Sequence, residues 1–209
     1  RGIQIISSDV AGTITANAYD VIVAYDATAG DSSFTSTVQH VFLQDVDFGK
    51  TDVVSEKYTA VYGNSNFSDD LSIDAYSVML GDFALHPYAL SDGTITVNGK
   101  LTADSYGTIG FSNDVIAKSV EFTSDTSSIV QANANSLTDG YGKLITDELT
   151  INAQYGAVVG LDANAAESAP GSVVPTYVES FSGYVPTASA SEHTAIKVET
   201  LTPGATLKI

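Results

Sequence analysis

Short β-prone segments separated by polar turns constrain the fold of this chain more than any other feature. Over residues 71–75, apolar side chains alternate with Ser72 and Asp74, which is the period-two pattern of a strand with one buried face. After Gly93 the chain continues as apolar triplets such as Leu101-Thr102-Ala103, each followed by small polar residues that favour turns. This pattern predicts an all-β protein.

Two all-β arrangements fit the pattern. The first is a β-sandwich or jelly-roll-like domain with exposed terminal strands, which we prefer because the spacing between similar segments is irregular. The second is a β-solenoid from about residue 93 onward, because Leu101–Ile109, Val120–Ile129 and Leu149–Val158 resemble one another in layout, as stacked coils would. With 209 residues and 44% hydrophobic content, we expect one β domain spanning residues 1–209.

The composition excludes several classes of function. The chain has no cysteine, so it has neither a disulfide framework nor a thiolate zinc site. Its formal net charge of −17 repels nucleic acid and anionic lipid. No apolar run is long enough to span a bilayer. Only 16% of residues are charged, and small polar residues are abundant, which favours an extracellular or cell-surface location.

The sequence contains no recognisable catalytic motif. The three histidines, His40, His86 and His193, have neither the spacing of metal ligands nor a nucleophile motif beside them. Acidic residues are plentiful, but their number alone does not indicate a hydrolytic pair. We therefore expect a protein that is not an enzyme, with a secreted hydrolase as an alternative.

We expect no cofactor; the alternative is calcium, for which two acidic loops are candidate sites. Hard cations prefer oxygen ligands at alternating positions of a loop, and polar turns that bond their own backbone give the same pattern. Asn66-Phe67-Ser68 is in addition an N-glycosylation sequon, so Asn66 is a candidate attachment site. The candidate metal ligands are Asn64, Asn66, Ser68, Asp70, Asp45 and Asp47.

The two ends of the chain carry β-prone segments that lack the usual protections of a sheet edge. Ile3, Ile5 and Ile6 near the N-terminus, and Leu207 and Ile209 at the C-terminal end, bring neither charge nor proline. Such a strand pairs within its own sheet or adds to the edge of a neighbour. We expect these five residues to form interfaces between copies, with residues 1–8 as the candidate donor strand.

Together these features favour an extracellular structural protein that assembles with itself. The expected product is a filament, pilus, sheath or surface layer, formed by β-strand addition between subunits, with copies of the chain and divalent cations as partners. An adhesin or passenger fragment that binds along the side of a β-solenoid is the alternative binding class.

Overall fold

The structure, a computed structural model, describes residues 1–81, 93–126, 129–131, 143–153, 158–159, 198–199 and 201–202. These residues form strands, turns and bends, with no helix among them, which confirms the all-β class. The strands are β1 (Ile3–Asp9), β2 (Ile14–Ala18), β3 (Ile22–Thr28), β4 (Ser32–Ser36), β5 (Val41–Gln44), β6 (Asp47–Phe48), β7 (Thr51–Tyr62), β8 (Ser65–Phe67), β9 (Leu71–Leu80), β10 (Thr94–Ser105), β11 (Ile109–Phe111), β12 (Asp114–Ser124), β13 (Ile129–Gln131), β14 (Leu144–Ile145), β15 (Glu148–Ala153), β16 (Val158–Val159) and β17 (Val198–Glu199).

The chain is wound into a β-solenoid. Ile3 of β1 lies beside Ile22 of β3, and Ile22 lies beside Val41 of β5, so the first two coils are equal in length. The strand pairs of the described chain are parallel. A sandwich or jelly roll needs antiparallel neighbours, so our preferred arrangement is wrong and the solenoid alternative is confirmed. The solenoid begins at β1 and not near residue 93.

Each complete coil has three faces. The first face stacks β5 and β11 with the C-terminal halves of β7 and β9, the second stacks β6 and β8, and the third stacks β4 with the N-terminal halves of β7 and β9. The long strand β10 contributes to the second face through its pairing with β8 and to the third through its pairing with β9. Side chains therefore form columns that run along the solenoid, alternately inward and outward.

The length of a coil varies while the register of its faces is kept. Leu101 lies beside Leu71 after a long coil, yet Val120 lies beside Leu101 after a coil as short as the one from Ile3 to Ile22. Leu149 then lies beside Val120 after a second long coil. The inward column is apolar at each of these steps, so burial keeps the coils aligned although their lengths differ.

The core is a stack of inward side chains that extends from coil to coil. Phe34, Phe48 and Phe67 are each at most 1% exposed, and their rings are 5.6 Å apart for the first pair and 6.5 Å apart for the second. Aromatic pairs at these separations stabilise beyond their buried area. The outward columns are consequently free to differ from coil to coil.

The corner between the first and second faces requires a left-handed backbone. Ser7, Asp26, Asp45 and Gly63 occupy this corner in successive coils with φ between 46° and 68°, a region that Asp tolerates better than most residues and Gly best. A Cβ on Gly93 would lie 2.2 Å from the Gly63 carbonyl carbon. The coil that follows residues 82–92 is thus seated directly on the preceding one.

Candidate functional site

The first strand, β1, is an open edge in the described chain. It pairs with β3 from Ile3 to Asp9, and no other described strand pairs with it. Ile3 and Ile5 point inward but stay only partly buried against the core, whereas Ile6 points outward and is 52% exposed. The structure therefore brings the three predicted N-terminal interface residues together on one uncovered strand.

The predicted C-terminal interface residues, Leu207 and Ile209, lie outside the described residues, and so do His86 and His193. Their roles stay predictions.

Three predicted metal ligands bond the neighbouring coil through their side chains. Asp45 Oδ1 accepts the Asn64 N–H at 2.8 Å, and Asn64 Oδ1 in turn accepts the Thr94 N–H at 3.2 Å. Asp70 Oδ1 accepts the Lys100 N–H at 2.7 Å. These oxygens accept hydrogen bonds from backbone N–H groups of the next coil, so they satisfy donors at the corners and link adjacent coils.

Asp47 and Asn66 belong to a column on the second face that alternates acceptors and donors. The Asn66 Nδ2 donates to Asp47 Oδ1 at 2.8 Å, and two coils earlier the Thr28 hydroxyl donates to Asp9 Oδ1 at 2.7 Å. We call Asp9, Thr28, Asp47 and Asn66 the second-face column. In it each carboxylate faces a donor from the next coil.

The sequon residue Asn66 lies within β8 and not in a loop as we expected. Its strand pairs with β6 through Asp47 on one side and with β10 through Thr96 on the other. Ser68 follows the strand and donates its N–H to the Phe48 carbonyl. Within the described ranges, no three His, Cys, Asp or Glu residues are grouped as a metal site would need. Calcium binding and glycosylation therefore stay predictions.

His40 packs in an aromatic cluster near the corner between the third and first faces. Its ring centroid is 3.7 Å from that of Tyr58, which also meets Phe42 edge-on at 5.4 Å. Burial and, to a smaller extent, the charge of Lys57 lower the pKa of His40 to about 4, while Asp20 opposes both. The imidazole is neutral at pH 7, and its Nδ1 accepts the Tyr58 N–H at 3.4 Å, so it serves packing.

The third face of the solenoid ends in exposed aromatic and acidic side chains that our sequence analysis missed. The tilted rings of Tyr76 and Tyr106 lie against each other one coil apart, and Asp74 and Asp104 each precede them by two residues. We call these four residues the tyrosine corner. The signal that reveals it is the similarity of Leu-Ser-Ile-Asp-Ala-Tyr at 71–76 to Leu-Thr-Ala-Asp-Ser-Tyr at 101–106, which is recognisable only when coils of unequal length are allowed.

Nowhere in the described residues does the chain form a helix with the length and apolar character needed to cross a bilayer. No protein-family model matches the chain, and searches of curated proteins and of solved structures found no match either.

Proposed function

We propose that this chain is an extracellular structural protein, not an enzyme, whose copies join by adding a strand at the open edge of β1. The observation that supports the proposal is the one-sided pairing of β1. The free side of a parallel strand offers a row of N–H and C=O groups to an incoming strand. A further coil placed there would continue the ladder that already links the coils of this chain.

Burial at the edge supports the same proposal. Ile3 and Ile5 are only partly buried, whereas their register partners in the next coil, Ile22 and Ala24, are 0% exposed. An added coil would bury the first pair as fully as the second, and the hydrophobic effect would favour its addition.

The charge of the chain sets the conditions under which copies would join. A net charge of −17 per copy makes copies repel one another, and salt screens that repulsion over about 8 Å at physiological ionic strength. Assembly should therefore increase with ionic strength, and divalent cations should promote it more than sodium at equal ionic strength. The composition fits an extracellular location, where such polymers form.

A proline on the free side of β1 tests the proposal. Ile3 donates its N–H to Val21 of the adjacent coil at 2.9 Å, and because donor direction alternates along a strand, the Gln4 N–H points to the free side. Gln4→Pro removes that donor and places a ring against the incoming strand, which an edge strand tolerates in its own fold. Gln4→Ala keeps the donor and is the matched control.

We expect the unmodified chain and Gln4→Ala to form polymers visible by electron microscopy. The Gln4→Pro variant should need about a tenfold higher concentration, from the loss of about one hydrogen bond. Strand addition at this edge would be excluded if Gln4→Pro formed polymers at the same protein concentration as the unmodified chain. It would also be excluded if the unmodified chain stayed monomeric at high salt. Deleting residues 1–6 is a weaker test, because it would expose β3 as a new edge of the same kind.

An adhesin or passenger fragment that binds along its side is the second candidate. It is favoured by the third face, where the same register continues through β4, β7, β9, β10, β12 and β15. Such a ladder presents outward polar side chains at regular intervals, as repeat proteins do when they bind extended ligands. Retention of the full chain on immobilised polysaccharides, with soluble polysaccharide as competitor, tests this candidate independently of polymer formation.

A further inference from the structure

The tyrosine corner repeats the same exposed pair of side chains on two adjacent coils. Residues 71–76 and 101–106 share one burial pattern, with the aspartate and tyrosine exposed and the residue between them buried. Since Asp74 lies directly beside Asp104 in the parallel register, the two motifs face the same way, one coil apart. The repeat therefore makes one continuous surface and not two isolated ones.

The carboxylates of this surface are stacked as like charges. Neighbouring strands lie about 4.8 Å apart, so Asp74 and Asp104 repel each other at close range. The pKa of Asp104 is raised, first by partial burial and then by Asp74 and Asp125, with a smaller contribution from Glu121. A positive group placed here would relieve this repulsion.

The aromatic rings stand beside these carboxylates and remain open to solvent. The ring centroids of Tyr76 and Tyr106 are 5.3 Å apart at an interplanar angle of 42°, and the side chains are 37% and 55% exposed. Gly107 permits this approach, since a Cβ there would lie 2.8 Å from the Tyr76 carbonyl oxygen. Exposed tyrosine faces next to carboxylates attract organic cations.

A buried hydroxyl lies at the base of the same surface. Ser77 is 0% exposed, and its Oγ has no hydrogen-bond partner among the described residues. A Cβ at Gly107 would lie 2.7 Å from this Oγ, which is closer than real Cβ contacts. The backbone of Gly107 therefore covers the hydroxyl, and a glycine is needed for the two coils to approach this closely.

We propose that the tyrosine corner binds a guanidinium group, such as an arginine side chain of a partner protein. The planar group stacks on the exposed tyrosine rings, and its fork of N–H donors reaches the stacked carboxylates of Asp74 and Asp104. Ammonium groups fit less well because they present a point charge without a flat face. The only arginine of this chain is Arg1, in the first coil, so the guanidinium comes from another molecule.

Titration of the full chain with acetyl-arginine amide, followed by NMR of the tyrosine rings, tests the proposal. The neutral analogue acetyl-citrulline amide is the ligand control, and calcium chloride at the same ionic strength tests for a carboxylate site that binds metal. Tyr19 is the matched control residue, because it follows Asn17 and Ala18 at the equivalent corner of the first coil and is 70% exposed. Thermal unfolding of each variant shows that it is folded.

We expect the arginine derivative to shift the rings of Tyr76 and Tyr106, and the citrulline derivative to shift neither. Tyr106→Leu should weaken binding about three- to fivefold, the size of an exposed cation–π contact, whereas Tyr106→Phe and Tyr19→Leu should leave it unchanged. Asp104→Asn should weaken it by a similar factor. Equal binding of citrulline, equal loss on Tyr19→Leu, or calcium binding that depends on Asp104 while arginine does not bind would overturn the proposal.

Discussion

The second-face column and the tyrosine corner both contain aspartates. The two places differ in the side chain that faces the aspartate from the next coil. In the column, Asp47 faces the amide of Asn66 and accepts its hydrogen bond at 2.8 Å. At the corner, Asp74 faces Asp104, a second acid. The backbone register is parallel in both places, so the difference comes only from which side chain the next coil supplies. The column uses its carboxylates to hold coils together, and the corner leaves them available to a ligand.

The largest expected effect on stability comes from the close contact between Gly93 and Gly63, at the start of the coil that carries Asp104. A Cβ at Gly93 would lie 2.2 Å from the backbone of Gly63, so Gly93→Ala must push the coils apart. We expect a loss of about 3 kcal/mol in the free energy of unfolding, near the upper end for overpacking. Urea denaturation measures it.

Gly12→Ala is the matched control for that substitution. No atom lies within 4 Å of a Cβ at Gly12, so the same chemical change should alter stability by less than about 1 kcal/mol, and the reduced entropy of the unfolded chain favours a small gain. If Gly93→Ala were equally harmless, β10 would not be seated on β8 as described. The register that sets Asp104 against Asp74 would then be wrong.

A smaller effect on stability is expected when an aspartate of the second-face column is compared with one of the tyrosine corner. Asp47→Ala removes the acceptor of the Asn66 amide and should cost about 1 kcal/mol, the net value of one hydrogen bond. Asp74→Ala removes a like charge from beside Asp104 and should cost nothing. A double-mutant cycle of Asp47→Ala with Asn66→Ala isolates the pair. Equal losses for the two aspartates would show that their surroundings do not differ in energy.

The sequence predicts the strands of this molecule better than their arrangement. Alternation of apolar and polar residues marks β9 and β10, because each has one face in the core. The coil repeat is hidden, since the coil from Leu71 to Leu101 is longer than the coil from Leu101 to Val120. The feature that repeats from coil to coil is the burial of the inward side chains, and many different apolar residues can fill those positions.

The candidate sites show the same limit. Ile3, Ile5 and Ile6 were predicted as one edge because they are neighbours in sequence, and the structure keeps them on one strand. Tyr76 and Tyr106 become neighbours only through the register of β9 with β10. Acidic residues such as Asp45 looked like metal ligands, because the same oxygen atoms serve a cation and a backbone N–H of the next coil.

The smallest expected effect is a pH dependence at Asp104. The pKa of Asp104 is raised above its ordinary value of 3.8 in the folded chain, chiefly by burial and by Asp74. Between that ordinary value and the raised one, the folded state binds more protons than the unfolded state, so stability falls as pH rises through this window and stays lower above it. Below pH 3.8 both states are protonated and the penalty vanishes.

Asp104→Asn should therefore be slightly more stable than the unmodified chain at pH 7 and equally stable at about pH 3, where Asp104 is protonated in both states. Asp52→Asn is the control on the same third face, because its register neighbours are Ser33 and Ser72 and not acids. The gain should shrink with added salt, since screening weakens the repulsion from Asp74, Asp125 and Glu121. Thermal unfolding across this pH range measures it, and a gain from Asp52→Asn as large as that from Asp104→Asn would mean that general charge reduction, and not the stacked pair, sets the stability of this face.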